Sequence, residues 1–138
     1  MLDRFPVTAV LPAHDLGRAR RFYTEVLGLQ ATADPEDELQ SFRAGDGTLV
    51  ALAEAPADRV PVAYPVASFA VRGIDELVAG LKERGAGFVP LSSGGAYAGG
   101  DEGRDPDVAN FGPVKAAFLR DSEGNVLALN QVSRAKVS

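Results

Sequence analysis

The apolar residues near the start of the chain change from a strand-like spacing to a helical one. Residues 5–12, FPVTAVLP, are mostly apolar or β-branched and are bounded by prolines, which predicts a short strand. From residue 16 the apolar positions recur every three or four residues, as on one face of an amphipathic helix. Asp15 suits the N-cap because its carboxylate can accept from free amides, and Gly28 suits the residue after the helix. The pattern therefore predicts strand, tight turn and helix.

The rest of the first half predicts a hairpin. The runs LQSFRA (39–44) and TLVALAEA (48–55) flank the turn GDG, in which glycine supplies the positive φ that a tight turn needs. Residues 56–65, PADRVPVAYP, contain three prolines and resist regular structure, so we interpret them as a connection between two modules.

The second half repeats this order of elements. Its runs predict a strand, a helix that ends at Gly85, a further strand and a closing hairpin: VASFAV (66–71), GIDELVAGLKERG (73–85), AGFVPL (86–91), VKAAFL (114–119) and VLALNQV (126–132). The segment RAGDGTLVALAE aligns with RDSEGNVLALNQ, which indicates an internal duplication. We expect an α+β fold in one domain, residues 1–138, with module 1 at about 5–56 and module 2 at about 64–132. Two sheets, each covered by a helix on one face, would enclose a cavity suited to a small molecule.

The composition of the chain argues against several classes of function. The chain has 138 residues, 46% of them hydrophobic and 24% charged, as in ordinary globular domains. Its net charge of −5 argues against a nucleic-acid partner. No apolar stretch approaches the ~20 residues of a membrane span and no signal peptide is recognised, so we expect a cytoplasmic protein without a membrane partner. The absence of cysteine and the single histidine exclude disulfides, thiolate sites and paired imidazoles within one chain.

Three segments resemble one known family. LPAHDLGRARRFYTEVLGL (11–29), GIDELVAGLKERGAGF (73–88) and AAFLRDSEGNVLALNQ (116–131) are similar, in order and period, to the vicinal oxygen chelate superfamily, also called the glyoxalase/bleomycin resistance/dioxygenase superfamily. The resemblance implies two βαβββ modules in tandem that form a cupped mixed sheet around a cavity. It also implies a homodimer with sites near the subunit interface.

Metal-dependent members of this family carry ligands at four positions, which this resemblance transfers to Thr8, Ala51, Val66 and Ala128. None of these residues supplies an imidazole or carboxylate, and Thr8 is at best a weak neutral ligand. We therefore expect no metal and no cofactor. The pattern is then most similar to the bleomycin-resistance-like members, which bind a molecule without changing it.

Seven residues are candidates for contact with a ligand. They are Thr8, Phe42, Tyr64, Ser68, Tyr97, Phe111 and Asn130. Phe42 and Tyr64 have packing in the core or at the rim as the alternative role. Ser68 and Asn130 share the strand parity of Val66 and Ala128, so their polar groups should point into the cavity, towards a ligand or towards backbone or water.

The glycine-rich segment 92–112 is either a lid, with Tyr97 and Phe111 as aromatic contacts, or a surface loop. His14 stands between the first strand and the helix, where it is either an exposed turn residue or a group that contacts ligand or transfers a proton. The acidic stretches 34–38 and 101–107 are interpreted as solvated loops, with a cation site as the alternative.

These observations favour a metal-free homodimeric protein that binds an aromatic or amphipathic small molecule. An enzyme of the same fold is the alternative: an isomerase, lyase or dehydratase in which His14, Tyr97 or Glu54 moves a proton. A protein-interaction module with a filled cavity is the third hypothesis.

Overall fold

The computed structural model describes residues 1–32, 39–89 and 107–132. The chain divides into two compact units. Unit 1 comprises Met1–Pro61 and the turn Ser122–Asn125, and unit 2 comprises Val62–Asp121 and Val126–Ser138. The boundary after Pro61 falls within the proline-rich connection that the sequence predicts.

Unit 1 contains a four-stranded mixed sheet and one helix. After a 3₁₀ turn at Leu2–Arg4, its elements are β1 (Thr8–Ala13), α1 (Leu16–Arg21, continued by a π-helical turn, Phe22–Val26), β2 (Gln30–Ala31), β3 (Gln40–Arg43) and β4 (Leu49–Glu54). The strand order is β1-β4-β3-β2, with β1 parallel to β4 and the other pairs antiparallel. A parallel pair needs a long connection, which α1 and the β2–β3 segment provide.

Unit 2 has the same plan with one added strand. Its elements are β5 (Pro65–Ala70), α2 (Ile74–Glu83), β6 (Gly87–Phe88), β7 (Ala109–Asn110), β8 (Val114–Arg120) and β9 (Val126–Val132). The order is β5-β9-β8-β6, β7 also pairs with β8, and β5 is parallel to β9. The structure thus confirms the predicted α+β fold, with two tandem βαβββ modules.

The predicted start and end of the first helix are confirmed in detail. The Asp15 carboxylate accepts a hydrogen bond from the Arg18 backbone N–H at 3.0 Å, which satisfies one of the free amides of the first turn. Gly28, directly after the helix, has φ 72°, a conformation that glycine adopts without a Cβ penalty. The residue patterns alone do not mark two short strands, β2 and β7. The second of these lies inside segment 92–112, so that the described end of this segment is partly strand rather than loop.

Each unit has an apolar core between its helix and its sheet. In unit 1 the rings of Tyr23 and Phe42 are both fully buried and stack with centroids 5.8 Å apart. In unit 2, α2 packs on β8 and β9 and buries Ile74, Val78 and Leu81. Together with Leu77, these residues recur at helical spacing in the sequence, and three of the four are buried.

Candidate functional site

In the described part of unit 1, one face of the sheet carries no helix. Because successive side chains of a strand alternate between faces, Phe42, which stacks on Tyr23, defines the helix side. Its strand neighbour Ser41 points the other way and pairs with Ala51, which in turn pairs with Val10. Val10 is 50% exposed and Ala51 is buried. The middle of this helix-free face therefore carries two apolar side chains, Val10 and Ala51, and one small polar side chain, Ser41.

The sheet of unit 2 also has a helix-free face. The Gln131 amide oxygen accepts a hydrogen bond from the Ile74 N–H at the start of α2, at 2.8 Å, so Gln131 points to the helix side. Asn130 and Ala128 therefore point to the opposite side. Next to them is a buried apolar cluster, made by Ala116, Phe118, Val126 and Ala128 with the half-buried Val89. Ser68 pairs with Ala128 on the neighbouring strand.

The positions that the family resemblance assigns to metal ligands do not fit a metal ion. Ala51 and Ala128 lie on the helix-free faces with only a methyl group each, and Thr8 is an exposed hydroxyl at the start of β1. Val66 lies at an irregularity of the β5–β9 pairing between Pro65 and Ala67. Within the described ranges, no three histidine, aspartate or glutamate side chains come together as a potential metal site. Metal coordination by these residues has no structural basis.

Two of the predicted ligand contacts are brought together. The Asn130 side-chain N–H donates a hydrogen bond to the Ser68 hydroxyl, with Ser68 exposed and Asn130 half-buried. The exposed Tyr64 immediately precedes β5, and Phe111, which is 40% exposed, donates its backbone N–H to Val114.

Phe42 is not available to a ligand. Its ring is fully buried on the helix side, against Tyr23, so its role is core packing and its prediction as a contact is corrected. The polar neighbours Ser41 and Arg43 occupy the other face of the same strand. Tyr97, and with it most of the predicted lid, lies outside the described residues.

The residues considered for proton transfer are not gathered into one site by any described contact. His14 is exposed between β1 and the cap of α1, and Glu54 is exposed at the end of β4. Of the two acidic stretches, 34–38 and 101–107, only Asp107 is described, and it forms an ion pair with Lys82 at 2.6 Å. That pairing assigns Asp107 a structural contact.

A buried carboxylate that the sequence did not single out organises one end of unit 1. The side chain of Glu123 is only 1% exposed. It accepts hydrogen bonds from the Asp15 backbone N–H (2.9 Å), from Arg18 Nε and Nη2 (2.8 and 3.1 Å) and from the Ser122 hydroxyl (2.9 Å). The turn Ser122–Asn125 is thereby fixed to the start of α1.

Hydrogen bonds from the side chains of Asn125 and Arg59 hold the same turn in place. The buried Asn125 side chain donates to the Pro12 carbonyl at 2.9 Å, and Arg59 donates to the Glu123 carbonyl at 3.1 Å. A Cβ at Gly124, which has φ +87°, would lie 2.9 Å from Pro61 Cγ. The turn therefore packs too closely for any side chain at position 124.

The electrostatics of Glu123 reflect these contacts. Burial raises the pKa of the carboxyl, but the hydrogen bonds from Arg18, Asp15 and Ser122 and the Arg18 charge outweigh burial and lower its pKa from 4.5 to about 2. Glu123 is thus ionised and saturated with donors, which makes it a structural carboxylate and a poor general base. The alignment of the two repeats contains one indication that this turn differs from the first: Glu123 and Asn125 stand where the first module has Asp46 and Thr48.

Comparison with known proteins places the chain in a family. Residues 6–129 match the model of the Glyoxalase/Bleomycin resistance protein/Dioxygenase superfamily, and the chain belongs to this superfamily. A search of curated proteins found no match.

Solved structures share the fold across nearly the whole chain. A member of the same superfamily from Sphaerobacter thermophilus is 25% identical, with a TM-score of 0.65, and the match covers 92% of this chain and 96% of that one. TnmS3, an antibiotic binding protein from Streptomyces sp. CB03234, is 21% identical, with a TM-score of 0.62 and coverage of 94% and 96%. A glyoxalase/bleomycin resistance protein/dioxygenase from Alicyclobacillus acidocaldarius is 21% identical, with a TM-score of 0.66 and coverage of 93% and 91%.

No helix among residues 1–32, 39–89 and 107–132 combines the length and apolar character that a bilayer crossing requires.

Proposed function

We propose that this protein binds a small organic molecule on a helix-free sheet face without the help of a metal ion. One observation carries the proposal: Ala51 and Ala128, to which the family resemblance transfers two metal-ligand positions, lie on the helix-free faces as methyl groups. A methyl group has no lone pair to offer a metal ion, so a ligand on such a face binds through apolar contacts and hydrogen bonds instead. The antibiotic-binding function of the structural neighbour TnmS3 is consistent with this class of activity.

A thermal-shift experiment tests both parts of the proposal. Saturating nickel, zinc, iron(II) or manganese should leave the melting temperature unchanged, because a ligand that does not bind the native state cannot stabilise it. A library of uncharged aromatic and amphipathic compounds should contain members that raise it. Strong stabilisation by one of the metals would contradict the metal-free function.

A matched pair of variants shows where such a compound binds. Val10→Lys places an ammonium group on the helix-free face of unit 1, beside Ala51, and should abolish or weaken stabilisation by compounds that contact that face. Thr24→Lys adds the same charge at an exposed position of the helical segment and should leave stabilisation intact. Equal responses of the two variants would place binding elsewhere.

We also propose that the protein is a homodimer. β1 lies at the edge of the unit 1 sheet, and the segment that leads into it exposes Phe5 and Val7, at 64% and 78%. Exposed apolar side chains beside an edge strand are a common feature of protein interfaces. Sedimentation velocity should show a dimer that Phe5→Asp weakens, whereas Val60→Asp, at an exposed valine outside the strands, should not. A monomer at all concentrations would refute the dimer.

A further inference from the structure

Ser68 and Asn130 form a polar, hydrogen-bonded pair beside the apolar cluster on the helix-free face of unit 2. Around it the face is apolar: Ala116 and Ala128 are buried beside Asn130, and Val132 follows at the same strand parity with 52% of its surface exposed. The pair thus lies where a buried apolar cluster gives way to exposed residues of the same face, Ala70 and Val132.

The hydrogen bond between the two side chains leaves a defined set of groups for a ligand. It uses one of the two amide N–H groups of Asn130 and one lone pair of the Ser68 hydroxyl. The second amide N–H and the hydroxyl are donors, and the amide oxygen is an acceptor. Two donors beside one acceptor match a carbonyl group, and still better a carbonyl that carries its own N–H or O–H.

Charged side chains are few on the described strands that carry the pair. On the described residues of β5, β8 and β9, the helix-free face holds one charged side chain, Arg120, which pairs with Val126. Val126 is four residues from Asn130 along the strand, about 13 Å at the usual rise. Lys115 lies on the helix side, where it binds Asp75 at 3.1 Å. An ionic ligand beside the pair would lose hydration without a counter-charge from these strands.

We propose that this face selects an uncharged, largely apolar molecule whose carbonyl or carboxamide group bonds to Ser68 and Asn130. The inference rests on the proposed function, because it names the ligand class of that site. It assigns specificity to the polar pair and affinity to the exposed apolar residues beside it, Ala70 and Val132, the division expected of small-molecule sites.

Three compounds of one shape test the selection. 2-Naphthamide, 2-naphthoate and 2-methylnaphthalene share a ring system and differ in their polar group, and their Kd values can be measured by ¹H–¹⁵N NMR titration. The amide should bind about fivefold or more tightly than the other two, as one or two added hydrogen bonds provide. It should also shift the side-chain NH₂ signals of Asn130, which report on the contact directly.

Two variants distinguish the contribution of the polar pair to binding from that of the apolar residues beside it. Asn130→Leu and Ser68→Ala should each reduce the preference for the amide over the hydrocarbon, while binding of 2-methylnaphthalene is retained. Thr24→Ala, which removes a hydroxyl from an exposed helical position, is the control and should keep the preference.

Failure of the selection by the polar pair and failure of the proposed function give different results in these experiments. Equal binding of all three compounds, or tighter binding of the carboxylate, would overturn the selection by the pair and leave the proposed function standing. Absence of binding by all three would contradict the proposed function and this inference together.

Discussion

Replacement of Glu123 by glutamine should cost the protein a measurable and pH-dependent part of its stability. The substitution keeps the shape of the side chain and removes the charge that Arg18 and the Asp15 N–H face. Each pKa unit by which folding lowers the pKa of a carboxyl corresponds to ~1.4 kcal/mol of stability. The Glu123 pKa falls from 4.5 to about 2, so its ionised carboxylate contributes about 3 kcal/mol to folding at neutral pH. Because the folded pKa is lowered, this contribution is complete above about pH 5 and is lost as the pH falls towards 2.

Urea denaturation followed by far-UV circular dichroism measures this effect. We expect Glu123→Gln to lower the free energy of unfolding by about 2–3 kcal/mol at pH 7 and by much less near pH 3. Glu25→Gln removes a charge from an exposed position of the same helical region and should change stability by less than ~0.5 kcal/mol. Equal stability of Glu123→Gln and wild type at pH 7, or a difference that does not shrink on acidification, would refute the reasoning.

Two further substitutions test the packing. Gly124→Ala combines a positive φ with a Cβ too close to Pro61. It should therefore lower the free energy of unfolding by more than Gly112→Ala, since Gly112 has a similar φ of +86° but open space where its Cβ would lie. Similar losses in urea denaturation would show that the Pro61 contact is unimportant. Phe42→Ala should cost about 3–5 kcal/mol because its ring is fully buried, whereas Tyr64→Ala, at an exposed ring, should cost less than ~0.5 kcal/mol; a small loss for Phe42→Ala in the same assay would refute its place in the core.

The sequence predicts those elements whose cause is local. The helical spacing of apolar residues, the Asp15 cap and the glycine at 28 mark α1 within one short stretch, and all three are confirmed. The repeated order of elements in the second half extends the same reasoning to α2 and the closing hairpin. The residue pattern does not mark β2 and β7, because each has two residues, too few to show a period, and neither lies in a longer apolar run as the equally short β6 does.

Contacts between distant residues are harder to predict. Glu123 lies 105 residues from Arg18, and nothing in its local sequence distinguishes a buried carboxylate from a solvated turn residue. The aromatic Phe42 was considered as a ligand contact because an apolar strand residue can face either side of a sheet. Its partner Tyr23 on α1 decides the side, and that pairing follows from the tertiary structure.

The central claim, binding of an organic molecule without a metal, is tested most directly by isothermal titration of one ligand into two samples of the protein. The ligand is a compound that raises the melting temperature, and one sample is first treated with EDTA and dialysed. The account predicts the same Kd and stoichiometry in both samples. Loss of binding after EDTA treatment, restored by addition of zinc or manganese, would contradict it.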